Sequence, residues 1–279
     1  MSNKLSPVEQ LMAIKGEAES IAYDSERDRF NMPHAAETNI SNALNANRIV
    51  IDGKDFAIAT QFPLDQQIEA QLQLLIDNQT PVLVVLASIN DIQNNQLIEY
   101  FKGSATYGAI QTQSKFLDYV DLDSIIEAKI FNLSVSGYKE SLEIQVIHVH
   151  NWPDHRTVST EVTTNLVSLI ESKIEQSMTA FKKDQSPTIS DLAKALPVMH
   201  CKAGVGRTGQ TLAAMAMKQF PELSLASIIK DLRRSRNNKT IQTPQQMKTL
   251  MELDEMRSKS QAKTQKKQSR SWRSLFGKK

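Results

Sequence analysis

His200-Cys201-Lys202-Ala203-Gly204-Val205-Gly206-Arg207-Thr208-Gly209 joins a short apolar segment, Pro197-Val198-Met199-His200, to a run with helical spacing, Gly206–Phe220. That order predicts a buried strand, a tight loop and a helix. The glycines let the backbone turn sharply, with consecutive N–H groups aimed inward as an anion nest. A helix starting near Gly206 brings the positive end of its dipole to the same place. Arg207, six residues after Cys201, offers a planar fork for two oxyanion oxygens. The product is a phosphate-sized cradle with sulfur at its base. An ordinary thiol, with a pKa near ~8.5, is only a few per cent ionised at pH 7, and the thiolate is the nucleophile. Amide dipoles, a helix N-terminus and Arg207 all favour the anion, and such surroundings bring thiols down to roughly 3.5–7.5.

Working outward, Arg48-Ile49-Val50-Ile51, Gly53 and Phe56-Ala57-Ile58-Ala59 predict a hairpin. Leu64–Ile76 has helical spacing. Pro81-Val82-Leu83-Val84-Val85-Leu86 is a continuous apolar run, the pattern of a strand buried on both faces. Tyr107–Asp121 and Ala128–Tyr138 predict antiparallel strands, and Leu142–Val149 another, leading into Asn151-Trp152-Pro153-Asp154-His155. Ser159–Phe181 places Val162, Leu166, Leu169, Ile170, Ile174, Met178 and Phe181 on one helical stripe. Lys182–Ser190 is polar and reads as a surface loop, and Leu225–Arg236 and Pro244–Met256 predict two further helices. Buried strands alternating with helices define an α/β domain with a mixed central sheet over residues 26–256. Residues 1–25 read as a flank with Leu11, Ile14, Ala18 and Ile21 spaced like one helix face.

The chain has 279 residues, 40% apolar and 23% charged, with a single cysteine. No intrachain disulfide is possible, which suits a reducing compartment. No apolar run approaches the roughly 20 residues of a transmembrane helix, and Met1–Pro7 lacks the apolar core of a secretory signal. Residues 257–279 carry nine basic side chains and no acidic one, leaving 24 basic against 31 acidic elsewhere, a net −7. Positive charge displaced from the domain argues against a nucleic-acid-binding protein. Ser258–Arg270 lacks apolar side chains other than Ala262 and reads as solvated disorder, whereas Trp272, Leu275 and Phe276 among basic residues suit contact with an anionic membrane. His148 and His150 alternate along a strand without further ligands, so no metal site is predicted.

The cradle matches the signature of the cysteine-dependent protein tyrosine phosphatases, His-Cys-x5-Arg-Ser/Thr-Gly. Trp152-Pro153-Asp154 resembles that family's mobile acid loop, and Ile241-Gln242-Thr243-Pro244-Gln245-Gln246 its glutamine loop. Asn45-Ala46-Asn47 and Ala59–Leu64 resemble its early motifs, all in family order. Leu44–Arg48, Gln79–Ser88, Tyr107-Gly108 and Gly204–Thr208 look like the bacterial type III secretion effector phosphatases of the Yersinia and Salmonella kind. The resemblance implies a highly twisted mixed sheet flanked by helices and a hydrolase acting on phosphotyrosine through a phosphocysteine. Cys201 would attack phosphorus, Arg207 and the amides of Lys202, Ala203, Gly204, Val205 and Gly206 would hold the oxygens, and Asp154 would protonate the leaving phenol. Gln246, helped by Gln242, would place the water; Thr208 would ease departure of the thiolate, and His200 would brace the cradle. Phe30, after Arg29, would wall a deep pocket, with Trp152 also at the substrate. No cofactor or metal is implied, because amides and Arg207 supply the positive field.

One departure stands out. The family holds its cradle arginine with a glutamate, and the segment after Tyr107-Gly108 reads Ala109-Ile110-Gln111-Thr112-Gln113, leaving Gln113 as the expected acceptor. This opens two alternatives, a phosphotyrosine-binding module without turnover and, from Lys202 in the cradle, a phosphoinositide phosphatase. The resemblance further implies phosphotyrosine proteins as partners, a secretion chaperone at the N-terminal flank, and export by a type III-like route to a host cytoplasm.

Overall fold

The computed structural model describes residues 5–183 and 195–276, with side chains described up to residue 263 outside the intervening segment and its edge. Ten strands and seven α-helices are described: α1 Pro7–Ala13, β1 Ser20–Ile21, β2 His34–Ala35, β3 Ala46–Ile51, β4 Lys54–Thr60, α2 Ile68–Asp77, β5 Val82–Val85, α3 Ile89–Asn94, β6 Ser104–Tyr107, β7 Ile110–Asp121, β8 Glu127–Ser136, β9 Leu142–Val149, α4 Thr160–Lys183, β10 Val198–His200, α5 Gly206–Gln219, α6 Leu225–Ser235 and α7 Pro244–Phe276.

Eight strands form one mixed sheet in the order β3-β4-β10-β5-β9-β8-β7-β6. The central four, β4, β10, β5 and β9, run parallel, and the flanking pairs are antiparallel. Register aligns their ends: His200 sits opposite Val85, and Val85 opposite His148. The loops leaving β4, β10, β5 and β9 therefore open along one edge, where ligands of parallel sheets bind. Both faces are covered. Along β5, Val82 and Val84 enter one apolar cluster with α4, α5 and α6, and Leu83 and Val85 enter another with α2 and α3. Two-residue alternation within a continuous apolar run is what a doubly covered strand requires.

The expected α/β architecture is present, with three differences. First, α3 and β6 lie where no element was expected, in a segment without a long periodic run. Second, the flank forms a helix over Pro7–Ala13 only, opened by a Ser6/Glu9 capping box. It does not stand apart: Arg233 Nη1 donates to the carbonyls of Leu11, Met12 and Ile14, at 3.2, 2.9 and 2.6 Å. Third, the basic segment expected as disorder continues α7 to Phe276. No Gly or Pro interrupts residues 245–276, and Arg257 fastens the helix by donating to the carbonyls of Met217 and Leu223, at 3.1 and 2.9 Å. Of the expected Lys182–Ser190 loop, Lys182 and Lys183 end α4, and the rest lies outside the described residues.

Candidate active site

Strand β10 delivers Cys201 to the mouth of the sheet, and the chain turns at once into α5. The turn depends on Gly204, at φ +69°, where a Cβ would lie 2.0 Å from the Thr60 carbonyl oxygen. The Gly204 N–H lies 3.2 Å from Cys201 Sγ. Burial pushes the Cys201 thiol up, but Arg207, the hydroxyl and N–H of Thr208, and the Gly204 N–H outweigh it and hold the pKa below the ordinary value. These donors favour the thiolate over the thiol more than water does.

Arg207 is 1% exposed. Its Nη1 donates to Asp91 Oδ2 at 2.6 Å and to the Trp152 carbonyl at 2.9 Å, and Nη2 to Asp154 Oδ1 at 2.9 Å. Its Nε has no partner among the described residues. A buried guanidinium N–H left open beside a thiolate is a donor waiting for an oxyanion.

The acceptor for Arg207, expected to be the uncharged Gln113, comes from elsewhere. Gln113 is exposed on β7, opposite Ser104 and Ser134 in the ladders, so that expectation is corrected. Asp91 supplies a full charge instead. It is 6% exposed and accepts the N–H and hydroxyl of Ser88 in the capping box that opens α3. Ser88-x-x-Asp91 just after a buried strand is the local signal that could have found it. Asp91→Asn keeps an acceptor but removes the charge. Losing a charged hydrogen bond of this kind costs about 1.5–3 kcal/mol, so chemical denaturation should show a loss of that size, together with a raised KM for oxyanions.

The cradle is braced from behind. His200 is fully buried with a pKa lowered to about 4 by burial, so it is neutral at pH 7. Its Nδ1 lies 3.1 Å from the Cys201 carbonyl, which can only accept, so Nδ1 carries the proton. Nε2 then accepts from the Tyr100 hydroxyl at 2.7 Å. The expected bracing role of His200 has its geometry, and Tyr100 is an addition. Arg236, also unforeseen, donates through Nε to the Gly204 carbonyl at 3.3 Å and through Nη1 to Asn47 Oδ1 at 2.5 Å.

Asp154 follows β9 and reaches over the cradle. Burial would raise its pKa, but Arg207, Lys202 at 3.1 Å and His155 hold it below the ordinary carboxylate value. Lys202 Nζ also lies 5.7 Å over the Phe30 ring, tying acid loop, cradle and pocket wall together. An acid must carry its proton to donate it, and Lys202 favours the deprotonated form. Lys202→Met should therefore move the basic limb of the kcat/KM–pH profile to higher pH, as read by a small aryl phosphate assay.

A cavity of about 120 Å³ opens above the sulfur, lined by Phe30, Asp154, Lys202, Ala203, Gln242 and Gln246 among others. Met32 and His155 also line it, neither foreseen. Phe30 is half-buried, and its neighbour Arg29 is pinned by donating to the carbonyls of Phe62 and Pro63. Trp152, expected at the substrate, is absent from the lining of this cavity: its side chain is fully buried with Nε1 donating to the Arg156 carbonyl at 3.1 Å, which anchors the loop. Val205 and Gly206 are buried at the start of α5, and the Val205 side chain is enclosed.

The two glutamines divide their work differently from the expectation. Gln246 Oε1 is spent on the N–H groups of Gln242 and Thr243, at 2.9 and 3.1 Å. Gln242 Oε1 and Gln246 Nε2 both lie over Gly206, 3.0 and 3.2 Å from where a Cβ would be. Both glutamines line the cavity, Gln246 with its Oε1 spent on the loop and Gln242 with its Oε1 turned to the cradle.

This arrangement and the sequence agree on a class. The profile of the protein-tyrosine phosphatase family matches residues 17–253, and the chain belongs to that family. Among curated proteins it is 37% identical over 224 residues to the tyrosine-protein phosphatase YopH of Yersinia enterocolitica, covering 78% of this chain and 48% of that protein. It is 32% identical over 202 residues to the secreted effector protein SptP of Salmonella paratyphi A, covering 72% of this chain and 36% of that protein. The chain thus aligns with about half or less of the length of these relatives. Among solved structures, the catalytic domain of human protein tyrosine phosphatase non-receptor type 18 has the same fold, with a TM-score of 0.62, 21% identity, and 83% and 84% of the two chains covered.

Proposed function

We propose that the protein hydrolyses phosphotyrosine in proteins through a phosphocysteine. The observation that carries this is the Cys201 thiol set beside a fully buried Arg207 whose Nε–H has no partner among the described residues. The oxyanion of a phosphate ester takes that donor and the loop amides. Cys201 Sγ attacks phosphorus, the bond to the phenolic oxygen breaks, and Asp154 gives that oxygen its proton. A water held by Gln242 then attacks phosphorus, the P–S bond breaks, and Asp154 takes the water's proton. The products are a phenol and inorganic phosphate, and Thr208 and the Gly204 N–H stabilise the departing thiolate.

Asp91 removes the motive for a module without turnover, since Arg207 is held by a charge after all. Lys202 is engaged by Asp154 and Phe30, which argues against its serving an inositol phosphate. The testing experiment is a panel of phosphotyrosine peptides, phosphoserine peptides and phosphoinositides, assayed for phosphate release with and without chelator and vanadate. Phosphotyrosine should be preferred by a large factor in kcat/KM, chelator should have no effect, and vanadate should compete. Equal rates on phosphoserine, or activity restored by a divalent ion after chelation, would sink the reading. From the likeness to SptP, a protein named as a secreted effector, we further propose export by a type III route, with an N-terminal chaperone contact, to act in a host cytoplasm. A translocation-reporter fusion that never reaches host cells would refute it.

A further inference from the structure

The catalytic domain leaves α7 unexplained. The helix runs for 33 residues, from the glutamine loop to Phe276. Its first half is a domain helix: Leu253 packs on the core, Arg257 holds two carbonyls, and Gln261 Nε2 donates to the Pro221 carbonyl at 3.0 Å. These three residues recur at a four-residue spacing and define the face turned to the body. Lys259 and Lys263 are exposed. After Gln261 the remaining fifteen residues to Phe276 carry the helix on by roughly 22 Å at 1.5 Å per residue.

At about 100° per residue, the basic residues of this extension share one face. Lys259, Lys263, Lys266, Lys267, Arg270 and Arg273 fall within an arc of about 120°. Lys259 pairs with Glu255 at 2.7 Å, and beyond it the sequence places no acidic residue in this segment. Trp272 and Leu275 fall in the opposite register, the one shared by Leu253, Arg257 and Gln261, with Phe276 at its border. A basic stripe and a short apolar, aromatic one thus divide the end of the same helix.

We propose that the α7 extension docks the protein on an anionic lipid surface, and the charge pattern selects that occupant. Clustered Lys and Arg together with a short aromatic-apolar face is the pattern of a helix lying in a headgroup layer. Nucleic acid shares the negative charge but offers nothing to the apolar face, and it would bring the body, at a net −7, alongside phosphates. A lipid surface needs only the helix.

The test uses the full chain and vesicles of phosphatidylcholine, alone or with phosphatidylserine. The protein should co-sediment with the anionic vesicles, stay in solution with neutral ones, and be released by salt. Each basic residue near such a surface is worth about fivefold in binding. The triple variant Lys266→Glu, Lys267→Glu, Arg270→Glu should lose more than about 100-fold while hydrolysing a small aryl phosphate at the unaltered rate. Trp272→Ala should weaken vesicle binding without changing that rate. Failure to sediment with anionic vesicles at low salt, undiminished binding by the triple variant, or displacement from vesicles by duplex DNA at equal charge concentration would overturn the proposal.

Discussion

Cys201→Ser is expected to abolish phosphate release while leaving capture of phosphotyrosine peptides intact. The substitution exchanges sulfur for oxygen and leaves the turn at Gly204, the α5 N-terminus and Arg207 with its Asp91 partner in place. What it removes is the thiolate. Arg207, Thr208 and Gly204 hold the thiol below its ordinary pKa against the pull of burial, and the same surroundings cannot ionise an alcohol at neutral pH. Removing a catalytic nucleophile costs on the order of 10⁶ in kcat. Phosphate release and peptide capture measured side by side decide the matter. Substantial residual turnover would place the nucleophile elsewhere, and loss of capture would mean that the sulfur, not the amides and Arg207, holds the ester.

Asp154→Asn should lower kcat by roughly 10²–10⁴, the usual contribution of a positioned proton donor. The loss should grow with the pKa of the leaving phenol, because a poor leaving group needs the proton and an activated one hardly does. In the free protein Asp154 lies against Arg207 and Lys202 as an anion. An incoming phosphate dianion replaces the carboxylate on Arg207 and brings negative charge beside it, which favours the protonated form. The asparagine variant leaves the cradle and Arg207 intact but has no proton to give the phenol, and should therefore retain bound substrate longer. A uniform loss across leaving groups would reduce Asp154 to a positioning role, and an unchanged kcat would remove it from the mechanism.

Residues that act as neighbours along the chain are legible in the sequence. The cradle is one segment, His200–Gly209, and its parts work through spacing that a strand, a tight turn and a helix enforce locally. The family resemblance extends this to Asp154 and to the glutamine loop. The partner of Arg207 escapes such a reading because it lies 116 positions earlier. The Ser88-x-x-Asp91 capping box is a local signal for the helix start, but nothing in it says which cation the carboxylate meets. Its role exists only because β5 and β10 are adjacent and in register, bringing α3 beside the start of α5. Arg236 and Tyr100 are illegible for the same reason, since each reads as an ordinary residue at a helix end or in a loop.

Composition, periodicity and one motif determined the α/β layering, the buried strand β5, the nucleophile and its arginine, because these depend on hydrophobic pattern and backbone geometry over a few residues. Only the tertiary structure decided that Asp91 and not Gln113 carries the countercharge, that the Trp152 side chain anchors its loop, and that Gln242 rather than Gln246 turns a free amide oxygen to the cavity. It also decided that the basic segment is a helix fastened at Arg257. Each of these turns on which donor meets which acceptor between segments far apart in the chain. Burial makes an unmet partner costly, and which groups are buried together is settled by the packing of segments distant in sequence.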